Sequence, residues 1–391
     1  MIVVAQLPFK QAHPLQLAPG LRELQANSTV HRVRTQSGDS AWLVTGYSEV
    51  MQLLEDDRLG GAHPEPGTAA RMSESVLYGG PTCNPVTEDA DHARWRALLQ
   101  PHFTPKQLRG LRPRVDSLTT QLLDELTVMG PPADLNAAVA LPLPLLVICE
   151  LLGVPYKDRE QFRAWTTDAA NTHDRARSER GFSQLFAYGQ RLVISKRREP
   201  GNDAISRWCA TEGLSDDEVA DLAVTLLWTG HETSVVQIGF SALLLLANPE
   251  QWRALAGNPA FVSNAVEETL RASRRANSVL VRYARTDLEI EGVTIEMGDL
   301  VLLSNAAANH DPSVFARPDQ VDIRRPTPRH LAFGHGARHC IGAPLARIEL
   351  HAVFSQLASR FPTMRLAVGV EELTLRTNML FGGLAELPVR W

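Results

Sequence analysis

The sequence predicts a mainly α fold with small β-sheets. Three observations lead there: a long run at 215–246 that is apolar on nearly every helical face, several shorter stretches with helical periodicity, and strand signals that are few and short.

Along the chain, "HRVRT" and "AWLVTG" are the first strand signals, and helices are expected at 91–100, 105–128, 143–152 and 182–198. The run at 215–246 opens on "SDDE", where Ser215 as N-cap and Glu218 three residues on make a capping box with acidic residues at the positive end of the dipole. A helix without a polar face belongs in the centre of a fold. Asp221, His231 and Glu232 interrupt it, which argues against a membrane span, and Asn248-Pro249 ends it. A helix at 263–271, strands in "LEIEGVTI" and "DLVLLS", a helix at 343–359 and strands in "LTLRT" and "LPVRW" complete the chain. With no repeat, low-complexity tract or long Gly/Ser linker, residues 1–391 read as a single domain.

A hydrophobic content of 44% in 391 residues is enough to bury a substantial core. The net charge of -5 argues against general affinity for nucleic acid or membrane surfaces. Cys83, Cys149, Cys209 and Cys340 are far apart and form no CxxC pair, which points to a reducing cytoplasmic setting. "MIVVAQLPFK" has neither the basic leader nor the apolar stretch of a signal peptide, so no export or anchor segment is expected.

An isolated free cysteine is usually a small core hydrophobe. The surroundings of Cys340, "HLAFGHGARHCIGAPLARIEL", change that reading. Gly334 and Gly336 allow a tight turn, and a helix beginning after Cys340 aims unsatisfied N–H groups at the sulfur, favouring thiolate. Such a thiolate serves as nucleophile or metal ligand. A nucleophile needs a base, and adjacent His339 is poorly placed for that on a turn. Haem ligation explains more, because N–H donors moderate the charge a thiolate gives to iron, and Phe333 can exclude water.

The segment Phe333, Gly334, Gly336, Arg338, Cys340, Gly342, Leu345, Ala346, Arg347 resembles the haem loop of the cytochrome P450 superfamily, and the likeness runs over essentially the whole chain. It implies the P450 fold, with the long buried helix lying over haem b and Cys340 as axial ligand. Other stretches agree. Glu268 and Arg271 in "EETLR", with Arg325, resemble the family's structural Glu-Arg-Arg network. Gly230, Glu232 and Thr233 in "WTGHETS" match its acid-alcohol motif, and His92 and Arg96 match the helix that holds a haem propionate. Arg282 and Arg338 resemble the other propionate partners. His339 departs from the usual side chains at its position; it either helps a propionate or faces the electron-transfer surface.

The resemblance implies reductive activation of O2 followed by hydrogen abstraction from substrate. Gly230 then lets the central helix loosen, Thr233 hydrogen-bonds the oxygen species and Glu232 relays protons. Back-bonding of Thr233 within the helix is the plainer alternative. Electrons are expected from a ferredoxin and its reductase, with Arg94, Arg109, Arg112, Arg329 and Arg338 as a basic patch, and the chain is expected to be a monomer. A haem-binding recruitment or sensor protein is the alternative of another class, and it is opposed by the intact cysteine and acid-alcohol pair.

Expected substrate contacts are Trp228, Thr229, Asn277, Ser278, Val279, Leu280, Met379, Leu380 and Phe381, with a compact lid at 171–180. The likeness is to actinomycete P450s of secondary metabolism. A flat face on Trp228 favours a small aromatic substrate such as a tryptophan-containing cyclodipeptide; otherwise Trp228 points into the core, and a macrolide is the alternative substrate.

Overall fold

A computed structural model of the chain describes residues 4–274, 279–326 and 329–391. Its axis is the helix Asp216–Leu246, which starts with the expected capping box: Glu218 N–H donates to Ser215 Oγ, and Ser215 N–H donates to the Glu218 carboxylate at 2.9 Å. With no polar face to present to water, it is packed by Pro142–Leu152, Arg175–Arg198, Val262–Arg271 and Ala343–Arg360, around one large apolar core.

The strands gather beside this helical body. Six form a mixed sheet in the spatial order Ala5–Gln6, Val30–Arg34, Ser40–Val44, Leu300–Ser304, Val279–Ala284, Leu59–Gly60. Its second core is closed by the helix Tyr47–Glu55. Arg282 sits opposite Val301, so the sheet fixes where its side chain leaves the backbone.

Several expectations are corrected. "LTLRT" makes only an isolated bridge, Leu375 to Leu384, flanked by Arg376 N–H to Gly383 O and Ala385 N–H to Thr374 O, with the chain turning through positive φ at Gly382 (63°) and Gly383 (116°). The helices Pro19–Asn27, Tyr47–Glu55, Arg159–Ala169 and Pro249–Gly257 were hidden; Arg159–Ala169, for example, buries only Phe162, Thr166 and Ala169, a stripe too narrow to stand out. The helix expected from 182 begins at Arg175, where Asp174 caps it by accepting from Arg177 N–H at 2.9 Å. The supposed lid at 171–180 is therefore mostly helix. The short link before it is tied to the C-terminal hairpin by Thr172 N–H to Asn378 O and Leu380 N–H to Ala170 O.

Candidate active site

The cysteine loop is folded by two glycines in the left-handed region, Gly334 (φ 70°) and Gly336 (φ 68°). Cys340 N–H donates to Phe333 O at 2.9 Å, which pins Cys340 just ahead of the helix Ala343–Arg360. Gly342 lies next to the sulfur, a Cβ placed on it coming to 3.8 Å in ordinary contact. Cys340 keeps an exposed edge, yet its surroundings are dense enough that burial pushes the thiol pKa up. The N–H groups of Gly342 and Ala343, then Arg96 and Arg347, pull it down without overcoming burial. The donors favour the thiolate, as expected, but burial outweighs them; a bound cation would complete the deprotonation.

Four cationic or polar side chains converge beside this loop. Arg282 is lowered by burial and then by Arg338, and His92 by burial, then by Arg338 and Arg96. Among the described residues no carboxylate pairs with Arg282, whose Nη1 donates only to Val281 O at 2.8 Å. Arg96 Nη1 donates to His339 O at 2.7 Å, tying its helix to the loop. Like charges gathered in partial burial call for an anion, so this donor set fits the carboxylates of a haem, with a soft sulfur donor alongside.

Glu88 was not foreseen. It is buried and holds Arg338 Nη2 at 2.7 Å and Arg285 Nη2 at 2.9 Å, while accepting from Gly61 N–H at 2.7 Å. Burial raises its carboxyl, but the Gly61 N–H, Arg285 and Arg338 bring it below the usual range. The only sequence clue was an acid at the start of a helix. The expected basic patch is also thinner than drawn, since Arg94 is paired with Glu218 and Arg338 with Glu88. Arg112 too lies 4.0 Å from Asp116, although it stays exposed along with Arg109 and Arg329.

On the central helix, Thr233 Oγ1 donates to Thr229 O at 2.7 Å and Thr229 Oγ1 to Thr225 O at 2.7 Å. The helix is continuous through Gly230, so the expected loosening is not present. Glycine there lets the helix pack close against Ile148, whose Cδ1 a Cβ would approach to 2.9 Å and push aside. Glu232 lines a cleft of about 110 Å³ with Arg163, Arg376 and Asn136. Burial pushes its pKa up, against the pull of Arg376 and Arg163.

Trp228 is buried between Tyr78 (ring centroids 5.4 Å apart, 31° tilt) and Phe381 (5.5 Å, 32°). The ring is buried beside these two aromatic side chains and Nε1 has no partner, which favours the alternative that Trp228 points into the core over a free aromatic platform. Met379, Leu380 and Phe381 join it in one apolar cluster with Ala170. Tyr78 was missed, because a lone tyrosine in an irregular segment carries no pattern. Val279 and Leu280 do not act together: alternation along the strand sends Val279 towards Phe9 and Met72, and Leu280 to the cysteine loop, 3.7 Å from a Cβ placed on Gly334. Asn277 and Ser278 lie outside the described residues.

The Glu-Arg-Arg network forms as expected. Arg271 grips Glu268 through Nε and Nη2, both at 2.8 Å, and Arg325 Nε reaches Glu268 Oε1 at 3.2 Å.

Residues 258–376 match the cytochrome P450 family model. The chain is 41% identical over 394 residues to pentalenolactone synthase of Streptomyces exfoliatus and 37% over 395 to mycinamicin IV hydroxylase/epoxidase of Micromonospora griseorubida, each covering 98% of both chains. It superposes on the substrate-free polyene macrolide pimaricin epoxidase with a TM-score of 0.89 at 39% identity, covering 100% of both. With cysteine loop, cationic cluster and central helix in one full-length match, the chain belongs to the cytochrome P450 family, monooxygenases that use O2 on a thiolate-ligated haem b.

Proposed function

We propose that this P450 tailors a macrolide or related polyketide by hydroxylation or epoxidation. The observation that carries this reading is full-length likeness to the mycinamicin hydroxylase/epoxidase and the pimaricin epoxidase. The cyclodipeptide expected from Trp228 loses its support, because that ring is buried beside Tyr78 and Phe381.

Cys340 would bind the haem iron through its sulfur, with Gly342 N–H and Ala343 N–H moderating its charge and Phe333 beside it. His92, Arg96, Arg282 and Arg338 would hold the haem carboxylates, with Glu88 orienting Arg338. His339 contributes its carbonyl to Arg96. The haem supplies the oxidising chemistry when bound; the chain supplies protons, orientation and exclusion of water. Glu232, its pKa raised by burial, faces the cleft lined by Arg163 and Arg376, which offers a route for protons from solvent to the helix interior. Thr233 is the adjacent hydroxyl on that route; its bond to Thr229 O holds Oγ1 in place until it turns.

The working unit is one catalytic domain, 1–391, in the cytoplasm, a monomer taking electrons from a ferredoxin and its reductase. Exposed Arg109, Arg112 and Arg329 supply the basic surface for that acidic partner.

The test is a Soret titration of the ferric protein with macrolides, a pentalenolactone-type lactone and tryptophan cyclodipeptides. A low-spin to high-spin shift with a macrolide is expected. A shift confined to cyclodipeptides overturns the macrolide reading, and one confined to the smaller lactone moves it to compact lactones.

A further inference from the structure

Against the cysteine loop lies a group of side chains that neither the carboxylate cluster nor the proton route uses. Glu267, on the helix Val262–Arg271, takes the Arg347 guanidinium in a fork: Nε to Oε1 at 2.7 Å and Nη2 to Oε2 at 2.9 Å. His330 Nε2 is 3.1 Å from the same carboxylate. Arg347 in turn lies over the Phe333 ring, 4.6 Å from its centroid. Phe333 is the residue whose carbonyl accepts from Cys340 N–H.

Arg347 is near enough to the sulfur for its charge to favour the thiolate. Burial raises the Glu267 carboxyl, but hydrogen bonds from Arg347 and His330 bring it down to about 2, so it is ionised at any working pH. A cation thus sits by the ligand atom with its own counter-charge held against it by a planar two-bond clasp, the arrangement that gives guanidinium–carboxylate pairs their fixed geometry.

We propose that Glu267 is a positioning residue that sets the electron-donating strength of the Cys340 sulfur, by fixing and offsetting the Arg347 charge stacked on Phe333. The proposal rests on Cys340 being the iron ligand and is independent of the substrate. An unbalanced cation near a thiolate draws electron density from the metal and stabilises the reduced, more negative state. Removing the carboxylate charge and removing the guanidinium charge therefore act in opposite directions.

The experiment is a spectroelectrochemical titration of the purified holoprotein, wild type, Glu267→Gln, Arg347→Gln and the double variant, with the ferrous carbon monoxide spectrum recorded for each. The expected result is a more positive midpoint potential for Glu267→Gln, a more negative one for Arg347→Gln, and an intermediate value for the double variant, all keeping the red-shifted band of a thiolate-ligated haem. Shifts of the same sign, no shift in either variant, or loss of that band in both overturns the proposal and leaves the pair a structural clasp. Absence of the band in the wild type sinks the assignment of Cys340 itself, which separates that failure from this one.

Discussion

At the scale of single residues, the site is governed by what burial does to titratable groups. Glu232 holds its proton to higher pH than an ordinary carboxyl because burial outweighs Arg376 and Arg163. A step that needs this proton is sustained on the acid side and fails as pH rises through the raised pKa. Glu232→Gln is expected to lower kcat by about 10²-fold and to abolish that falling limb, as measured in a pH profile of kcat with saturating reductant. Glu349, one helical face away from the cysteine loop on Ala343–Arg360, is pushed by burial up to about 8 although Ser234 of the central helix hydrogen-bonds it. Its folded pKa lies above an unfolded value near about 4.3. As pH rises through that interval the unfolded chain releases a proton the folded chain retains, so stability falls with rising pH, by at most about 1.4 kcal/mol per unit from this group. Glu349→Gln is therefore expected to match the wild-type Tm near the lower end of the window and to exceed it at the upper end. Equal melting curves at both ends argue against a buried neutral acid.

At the scale of elements, the junction of the central helix with the C-terminal hairpin is an apolar cluster built around Trp228. Trp228 is 4% exposed, packed by Tyr78 and Phe381, and its Nε1 has no hydrogen-bond partner. Truncation and a ring-preserving change should separate. Trp228→Ala is expected to cost about 3–5 kcal/mol in denaturant unfolding, and Trp228→Phe far less, because it keeps stacking while removing a buried unpaired donor. The sequence-level expectation of a substrate platform failed here for a physical reason: helical position says which way a residue leaves the helix, but not which loop arrives to cover it. Tyr78 comes from an irregular segment that no periodicity reports. Val279 and Leu280 show the converse, since adjacent strand residues necessarily face opposite ways once the sheet is in place.

At the scale of the whole molecule, the fold is locked where helix, loop and sheet meet. Glu268 and Arg271 are both fully buried, and Arg271 also donates to Asn309 O and Pro318 O at 2.9 Å, so one ion pair gathers distant segments ahead of the cysteine loop. Glu268→Gln leaves Arg271 short of its counter-charge in a dry interior and is expected to destabilise the protein by about 3–5 kcal/mol, with haem content falling alongside in purified material. Retention of wild-type stability and haem content would show that the backbone carbonyls suffice.

The sequence by itself determined the local features: the capped, all-apolar helix from Ser215 and the glycine-turned loop ahead of Cys340. These are legible because capping, periodicity and turn chemistry act over a few residues, whereas the acid-alcohol pair at Glu232 and Thr233 stood out only through likeness to a family motif. Only the tertiary structure decided that Glu88 orients Arg338, that Glu267 holds Arg347 over Phe333, that Gly230 admits Ile148 rather than a break in the helix, and that Trp228 is covered. Each of those contacts joins residues far apart in the chain, and a contact made by chain folding leaves no periodic trace in a single sequence.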